Sequence, residues 1–481
     1  MTKVEETTSA PKTMPVPTLS AMVVGSMVGA GVFSLPRNFG AATGGFGALI
    51  AWAIAGTGML MLAFVFQTLA VRKPALDAGV YAYAKAGFGE YPGFFSAFGY
   101  WASACVGNVS YWVLIKSTLG QVFPIFGEGN TVPAVLLSTV CIWAFHFVVL
   151  RGVQEAAAIN KIVTIAKIVP ILFFVVVLLF YFDPGVFAAN FHGGQGNSDP
   201  LHEQVRSTML VTVFVFLGIE GASVYSRYAR RRADIGRATV LGFLSVLAIF
   251  AAVTMVSYGI MPRGELAAAQ QPSMSPVFES AVGAWGAWFI SIGLIVSVLG
   301  AYLAWTLMAA EVLYVAAADD DMPSFLGRTN RHNVPVVALT FTSVLIQIVL
   351  FTTLFSDDAF TFTLKLCSAL SLVPYLLAAA YALKLAITRE TYVAIRPQDR
   401  GRELLVAGLA TFYTAFMIVV AGLEFLLLSF IIYAPGTILF VLARREQGKR
   451  LFGPWEAVLL IVSIAGALAG IIGLATGHIT I

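Results

Sequence analysis

The sequence predicts an all-α membrane protein of about thirteen transmembrane helices, ten of them arranged as two inverted five-helix repeats. Three observations predict it. Of 481 residues, 59% are hydrophobic and only 11% are Asp, Glu, Lys or Arg, against roughly 25% charged residues in a soluble protein. Apolar stretches of about 20 residues, the length that crosses a bilayer, recur to the end of the chain. Basic residues collect in alternate connections between those stretches and avoid the others. No separate soluble domain is visible, so the lipid bilayer is the expected surrounding.

The first 17 residues are polar and Pro-rich, with no apolar h-region. They read as a cytoplasmic tail without a cleaved signal peptide. Apolar segments then run near 18–36, 44–70, 93–123, 131–150, 159–182, 206–226, 238–261, 286–316, 335–355, 360–387, 403–422, 425–443 and 455–476. The first ten make a core over residues 18–387, and the last three form an accessory region over residues 388–481.

Lys and Arg gather on cytoplasmic loops. With the N-terminus inside, the cytoplasmic segments hold Lys3 and Lys12; Arg72, Lys73 and Lys85; Arg151 and Lys161; Arg227, Arg230, Arg231, Arg232 and Arg237; Arg328 and Arg331; Lys384, Arg389, Arg396, Arg400 and Arg402; and Arg444, Arg445, Lys449 and Arg450. That is 23 of the 29 basic residues. External loops hold Arg206 and Arg263, and Arg37, Lys116, Lys167 and Lys365 lie inside spans. The asymmetry predicts a multi-pass protein of the inner or plasma membrane, with a cytoplasmic N-terminus and an external C-terminus. The run Arg227–Arg232 reads as a topology anchor. A net charge of +4 needs no nucleic acid partner. Asn190–Pro200, with Gly193, Gly194, Gly196 and Asn197, reads as a flexible external loop.

Cys105, Cys141 and Cys367 sit in apolar spans without metal spacing and read as packed free thiols. The five histidines are scattered and no phosphate loop occurs. The sequence therefore offers no enzymatic constellation, no cofactor site and no means of hydrolysing ATP.

Two helices are broken in matching positions. The first reads GSMVGAGVFSLP, Gly25 to Pro36, with Gly25, Gly29 and Gly31 at mid-span; the sixth reads FVFLGIEGASVY, Phe214 to Tyr225, with Gly218 and Gly221. Glycine costs a helix interior roughly 1 kcal/mol against alanine. Unwound backbone is tolerated in hydrocarbon only where it lines a cavity or is buried in protein. Helices 1 and 6 open blocks 1–5 and 6–10, and an odd number of spans inverts the second block. Broken helices in equivalent positions of inverted halves point to a central binding site. Gly25 and Gly29 also form a GxxxG, which alone would fit close packing. At an unwound pair, free N–H groups favour an anion and free C=O groups a cation, and an amino-acid head group supplies both. The amides of Gly29, Ala30 and Gly31 would take the carboxylate, and carbonyls near Met22, Ser26 and Phe214 the ammonium.

GSMVGAGVFSLP, ALDAGVYAYAKAGFGEYPGFFSAFGYW, FLGIEGAS and AWTLMAAEVLYVAAADDDMPSFLGRTNRHNVP resemble the amino acid–polyamine–organocation superfamily. Within it the chain resembles the basic amino acid/polyamine antiporters. GIEGASVYSRYARRRADIGRATVLG and YAPGTILFVLARREQGKR are similar to the bacterial arginine/ornithine subgroup. The resemblance covers nearly the whole chain. It implies a LeuT-like inverted-repeat core, alternating access, and small cationic amino acids as substrates. It leaves a homodimer open. The alternative within the same fold is a proton-coupled symporter or a lysine or histidine exchanger.

Residue by residue, the resemblance implies a head-group cradle from Ser26 through Gly31. Ala30 stands where arginine/agmatine antiporters have a serine, and Phe214 where they have a tryptophan, with Leu217 one turn on. Trp305 matches a second aromatic. Tyr100 and Asn108 match pocket residues of the third helix, and Glu220 matches a glutamate of proton sensing and gating.

Charged residues at mid-span cost about 3 kcal/mol or more and are functional by default. Glu220 would counter a cationic substrate or carry a proton, or else pair with an intramembrane lysine. Lys167 resembles the fifth-helix lysine of proton-coupled members, whose ammonium takes the place of a sodium ion between helices 1 and 8; otherwise it snorkels. Lys116 and Lys365 read as lining or snorkelling residues, and Glu311 as part of an inner gate or ion pair.

Overall fold

The computed structural model describes residues 15–76, 80–152, 156–193, 199–220, 232–392 and 397–479. Among the described residues the chain is helical, and the only extended pairing is an isolated bridge between Thr329 and Pro335. Among the described residues eight helices are long and apolar enough to cross a membrane, or up to ten if each of two bent pairs counts as one span.

The order begins with α1 (Val16–Met27), a 3-10 turn (Ala30–Ser34), α2 (Leu35–Ala42) and α3 (Gly45–Arg72). Next come α4 (Val80–Phe88), α5 (Glu90–Gly120), α6 (Val132–Leu150), α7 (Ala156–Phe180), α8 (Pro184–Phe191) and α9 (Leu201–Val215). The second half holds α10 (Arg232–Ser257), α11 (Arg263–Ala268), α12 (Met274–Val282), α13 (Ala284–Ala318), α14 (Val336–Thr352) and α15 (Ala359–Thr388). The chain closes with α16 (Pro397–Glu446) and α17 (Pro454–Ala475). Gly422, at φ 80 and ψ 169, interrupts α16, where the hydropathy pattern separates segments 403–422 and 425–443.

Two corners repeat. α4 is nine residues long, ends at Gly89 (φ 102, ψ −175) and continues into the 31-residue α5. α12 is also nine residues long, ends at Gly283 (φ 88, ψ −178) and continues into the 35-residue α13. Only glycine holds that backbone without strain, so each long span is set off sharply from a short helix. Four short helices, α4, α8, α11 and α12, lie outside the apolar segments read from hydropathy.

α5 lies at the centre, with nearly every residue from Tyr91 to Thr118 buried and with α4, α13, α14 and α15 packed around it. Gly436 of α16 lies under the Phe98 ring, where a Cβ would come within 2.3 Å of Cζ, so the last spans interlock with α5. On the outer side, Phe412, Val419, Leu423, Ile461 and Ile472 are exposed, the apolar surface that a lipid-facing helix requires.

Several expectations are corrected. Asn190 does not begin a flexible loop. It is buried, its Nδ2 donates to the carbonyls of Tyr258 (2.7 Å) and Met261 (2.9 Å), and its Oδ1 accepts from the Arg263 amide (2.8 Å). Arg263, expected in an external loop, donates to the Gly40 and Ala41 carbonyls at the end of α2, where a helix favours a cation. Lys116 neither lines the central cavity nor snorkels, because its whole side chain is covered. Gly194, Gly196, Asn197, Gly221, the run from Arg227 to Arg231 and Ile481 lie outside the described residues.

Candidate functional site

The first break follows from a short sequence. α1 ends at Met27, Val28 leaves the helical region (φ −71, ψ 102) and Gly29 is extended (φ −121, ψ −158). The 3-10 turn and α2 then continue at 55° to α1. The first N–H groups of that turn and the last C=O groups of α1 have no partner within their own helices, as at any helix end.

The second break follows α9. Residues 216–220 make tight turns, in which the Phe216, Leu217 and Ile219 amides donate to Val213, Phe214 and Phe216 carbonyls at 3.1–3.2 Å. Gly218 has φ +98, and a Cβ there would stand 2.3 Å from the Ser26 carbonyl oxygen. The two breaks therefore abut, backbone on backbone.

A cavity of about 30 Å³ lies beside this contact. Its wall includes Ser26, Gly29, Ala30 and Gly31 from the first break and Phe214 and Leu217 from the second. Tyr100 of α5, Trp305 of α13 and Lys167 of α7, also expected from the sequence, line it too. Gly31 is pressed against the second break: a Cβ would meet Val215 Cγ1 at 2.7 Å and Phe214 Cδ1 at 2.8 Å. Gly29 has more room, with Tyr111 Oη 3.5 Å from a Cβ.

Asn108 does not line this cavity. The face of α5 that does carries Tyr100, Ser103, Ala104, Gly107 and Tyr111, a helical spacing of three and four residues. Asn108 is one residue out of phase; its Nδ2 donates to Thr306 Oγ1 of α13 at 3.1 Å. Tyr111, Ser371 and Tyr375, not singled out in the sequence, join the wall, as does Cys367, read there only as a packed thiol.

Glu220 stands behind the wall. It is 7% exposed and accepts from the Tyr100 hydroxyl at 2.5 Å through Oε1 and from the Tyr375 hydroxyl at 2.6 Å through Oε2. The carboxylate thus meets the cavity through two tyrosines. Lys167 is also buried, and its Nζ donates to the Gly25 carbonyl at 3.5 Å. That carbonyl belongs to the last turn of α1, where the helix dipole favours a cation. The side chain points inward, so it does not snorkel.

Glu311 makes no ion pair with a described residue. It is exposed and lines a second, wider cavity of about 620 Å³. Leu307 and Met308 form the inner wall of this vestibule, and Gly152, Arg331 and His332 part of its outer wall. The Tyr100 hydroxyl lies 3.8 Å from Met308 Sδ, so these two side chains separate the vestibule from the central cavity.

Residues 16–442 match the amino acid permease family. The chain is 48% identical to an arginine/ornithine antiporter of Pseudomonas aeruginosa over 471 residues, 96% of this chain and 97% of that one. It is 39% identical to an L-lysine transport protein of Corynebacterium glutamicum, over 98% and 97% of the two chains. It is 34% identical to an arginine/agmatine antiporter of Chlamydia pneumoniae, over 98% and 99%. The chain belongs to the amino acid permease family.

Proposed function

We propose that this member of the amino acid permease family is a secondary active antiporter that exchanges arginine for ornithine by alternating access. The observation that carries the reading is the contact of the two helix breaks, Gly218 on Ser26, at the wall of the central cavity. The similarity to arginine/ornithine antiporters over nearly the full length supplies the substrate pair.

In this reading the α-carboxylate sits on the amides of Gly29, Ala30 and Gly31, at the positive end of the 3-10 turn and α2. The α-ammonium sits on carbonyls at the end of α1 and at Phe214. Ala30 offers no hydroxyl, so the backbone alone holds the carboxylate. The side-chain cation lies over Trp305 and Phe214, with Glu220 behind Tyr100 as its counter-charge. Lys167 is a fixed cation on the α1 carbonyls and makes a sodium ion there unnecessary.

The core is read as two inverted five-helix repeats followed by three accessory spans, thirteen in all, with the N-terminus cytoplasmic. The matching corners at Gly89 and Gly283 and the matching breaks after Met27 and Val215 support the repeat. In this reading the walls part to admit and release the amino acid. A lysine exchanger is the second reading, favoured by the 39% identity to the lysine transport protein.

Counterflow in proteoliposomes tests both. Labelled arginine should accumulate in vesicles preloaded with ornithine and not in empty ones, without sodium. A preference for lysine preload would favour the second reading, and equal uptake into empty vesicles would exclude obligate exchange. Loss of a desolvated cation–π contact worth about 2 kcal/mol corresponds to roughly thirtyfold in affinity. Trp305→Ala should weaken arginine binding by about that factor in calorimetry. Wild-type affinity in that variant would move the side-chain pocket elsewhere.

A further inference from the structure

The vestibule carries groups that the central site does not use. At about 620 Å³ it falls within the usual range for small-molecule sites, roughly 300–1,000 Å³. Its inner wall is α13, where Leu307, Met308 and Glu311 face the space. Glu311 stands six residues beyond Trp305 on the same helix, about 9 Å along its axis.

The outer wall is a built one. Asn330 fastens the loop before α14: its Nδ2 donates to the Leu150 carbonyl at 2.7 Å, and its Oδ1 accepts from the amides of His332 (2.9 Å) and Val334 (3.1 Å). The Arg331 Nε lies 3.2 Å from His332 Nε2. The loop thereby presents a guanidinium across the vestibule from an exposed carboxylate that pairs with no described residue.

We propose that the vestibule is a second, peripheral binding site for the transported cationic amino acid, with Glu311 taking the side-chain cation and Arg331 the α-carboxylate. This rests on the reading of the substrate as a cationic amino acid. The two charges match the two ends of such a molecule, and an anionic or apolar solute would fit one wall only. The site lies on the route inward, because the Tyr100–Met308 contact stands between it and the central cavity. Its role is to concentrate substrate before the wall opens and to receive the exchanged molecule afterwards.

The test measures exchange by purified full-length protein in sealed proteoliposomes, with half-saturation for arginine, or lysine if that is the substrate carried, determined separately at each face. Glu311 is exposed, so a pair with it is worth a few-fold: Glu311→Gln should raise half-saturation at the vestibule face about fivefold at low salt. The opposite face should keep its wild-type value. The difference between variant and wild type should vanish at high salt, where exposed charges are screened, and Glu311→Asp should restore most of the affinity. Arg331→Gln should act at the same face. Unchanged half-saturation at that face, or an equal rise at both faces, would overturn the vestibule site while leaving exchange itself established. A wild-type protein that carries no cationic amino acid would sink the substrate reading, and this inference with it.

Discussion

At Gly31 a distance decides what the residue does. A Cβ would come within 3 Å of both Val215 and Phe214, and a β-branched valine in a helix has little rotamer freedom to yield. Gly31→Val should therefore abolish exchange while protein level and detergent behaviour stay near normal. Gly29→Ala, whose methyl meets Tyr111 Oη at an ordinary 3.5 Å, should keep most of it. Uptake assays on the two variants check the contrast; equal activity would reduce the motif to helix packing. The glycine cluster was legible in GSMVGAGVFSLP, but its division of labour was not, because the opposing atoms come from α9, far along the chain. Asn108 shows the converse limit. Its neighbourhood was right, yet one residue turns a side chain by about 100° around a helix, from the cavity to Thr306. Tyr111 could have been found by stepping along α5 from Tyr100 in threes and fours. Lys116 could not be placed, because no local pattern says that a lysine in an apolar span is wholly covered.

At the scale of elements, hydropathy found the long spans and missed the short helices, whose lengths lie below any membrane signal. Their glycine corners carry the architecture, and the Gly218 turn carries the site. An alanine at Gly218 would have to hold φ +98 and would place Cβ 2.3 Å from the Ser26 carbonyl oxygen. Gly218→Ala should lower the midpoint of thermal unfolding as well as exchange, since strain alone is worth about 1–3 kcal/mol. An unchanged midpoint would show that the two backbones do not abut. A second inter-element tie lies at the end of α13. Lys85 of α4 holds Asp321 at 2.5 Å and Glu90 at 3.6 Å. Burial pushes the Asp321 carboxyl up to about 6, with Lys85 pulling the other way. Lys85, lowered by burial and raised further by Asp321 and Glu90, stays charged. A carboxyl held above its ordinary value near 4 binds its proton more tightly folded than unfolded. Its contribution to stability is present at low pH and is lost as pH rises through about 6. The midpoint of wild type minus that of Asp321→Asn should thus be more positive at pH 5 than at pH 7.5, by the equivalent of on the order of 1 kcal/mol. A difference independent of pH would mean that Asp321 does not titrate in this window.

At the scale of the molecule, the two ends of the central cavity differ. One end adjoins the open vestibule across Tyr100 and Met308. The other is tied by Arg37 of α2, which bridges Glu128 before α6 at 3.1 Å and Asp358 before α15 at 3.3 Å. The sequence reading placed Arg37 inside a span and carried no sign that it joins three elements. Which end is open depends on a balance between two packings, and periodicity along the chain carries no measure of that balance. The pairs are partly exposed, so each is worth at most about 1 kcal/mol. Losing both should shift the balance by up to roughly tenfold to thirtyfold. Cys367 provides a native reporter, since it lines the cavity and is 2% exposed, its Sγ donating to the Ser103 carbonyl at 3.1 Å. With Cys105 and Cys141 replaced by serine, a membrane-impermeant maleimide applied at the Arg37 end should label Cys367 several-fold faster in Arg37→Gln than in the parent. Labelling from the vestibule end should slow, because the same molecules cannot be open at both ends. Saturating arginine should protect the thiol from either side. Equal rates in parent and variant would show that the ion pairs do not hold this end shut, and faster labelling from both ends would point to a loosened fold rather than a shifted balance.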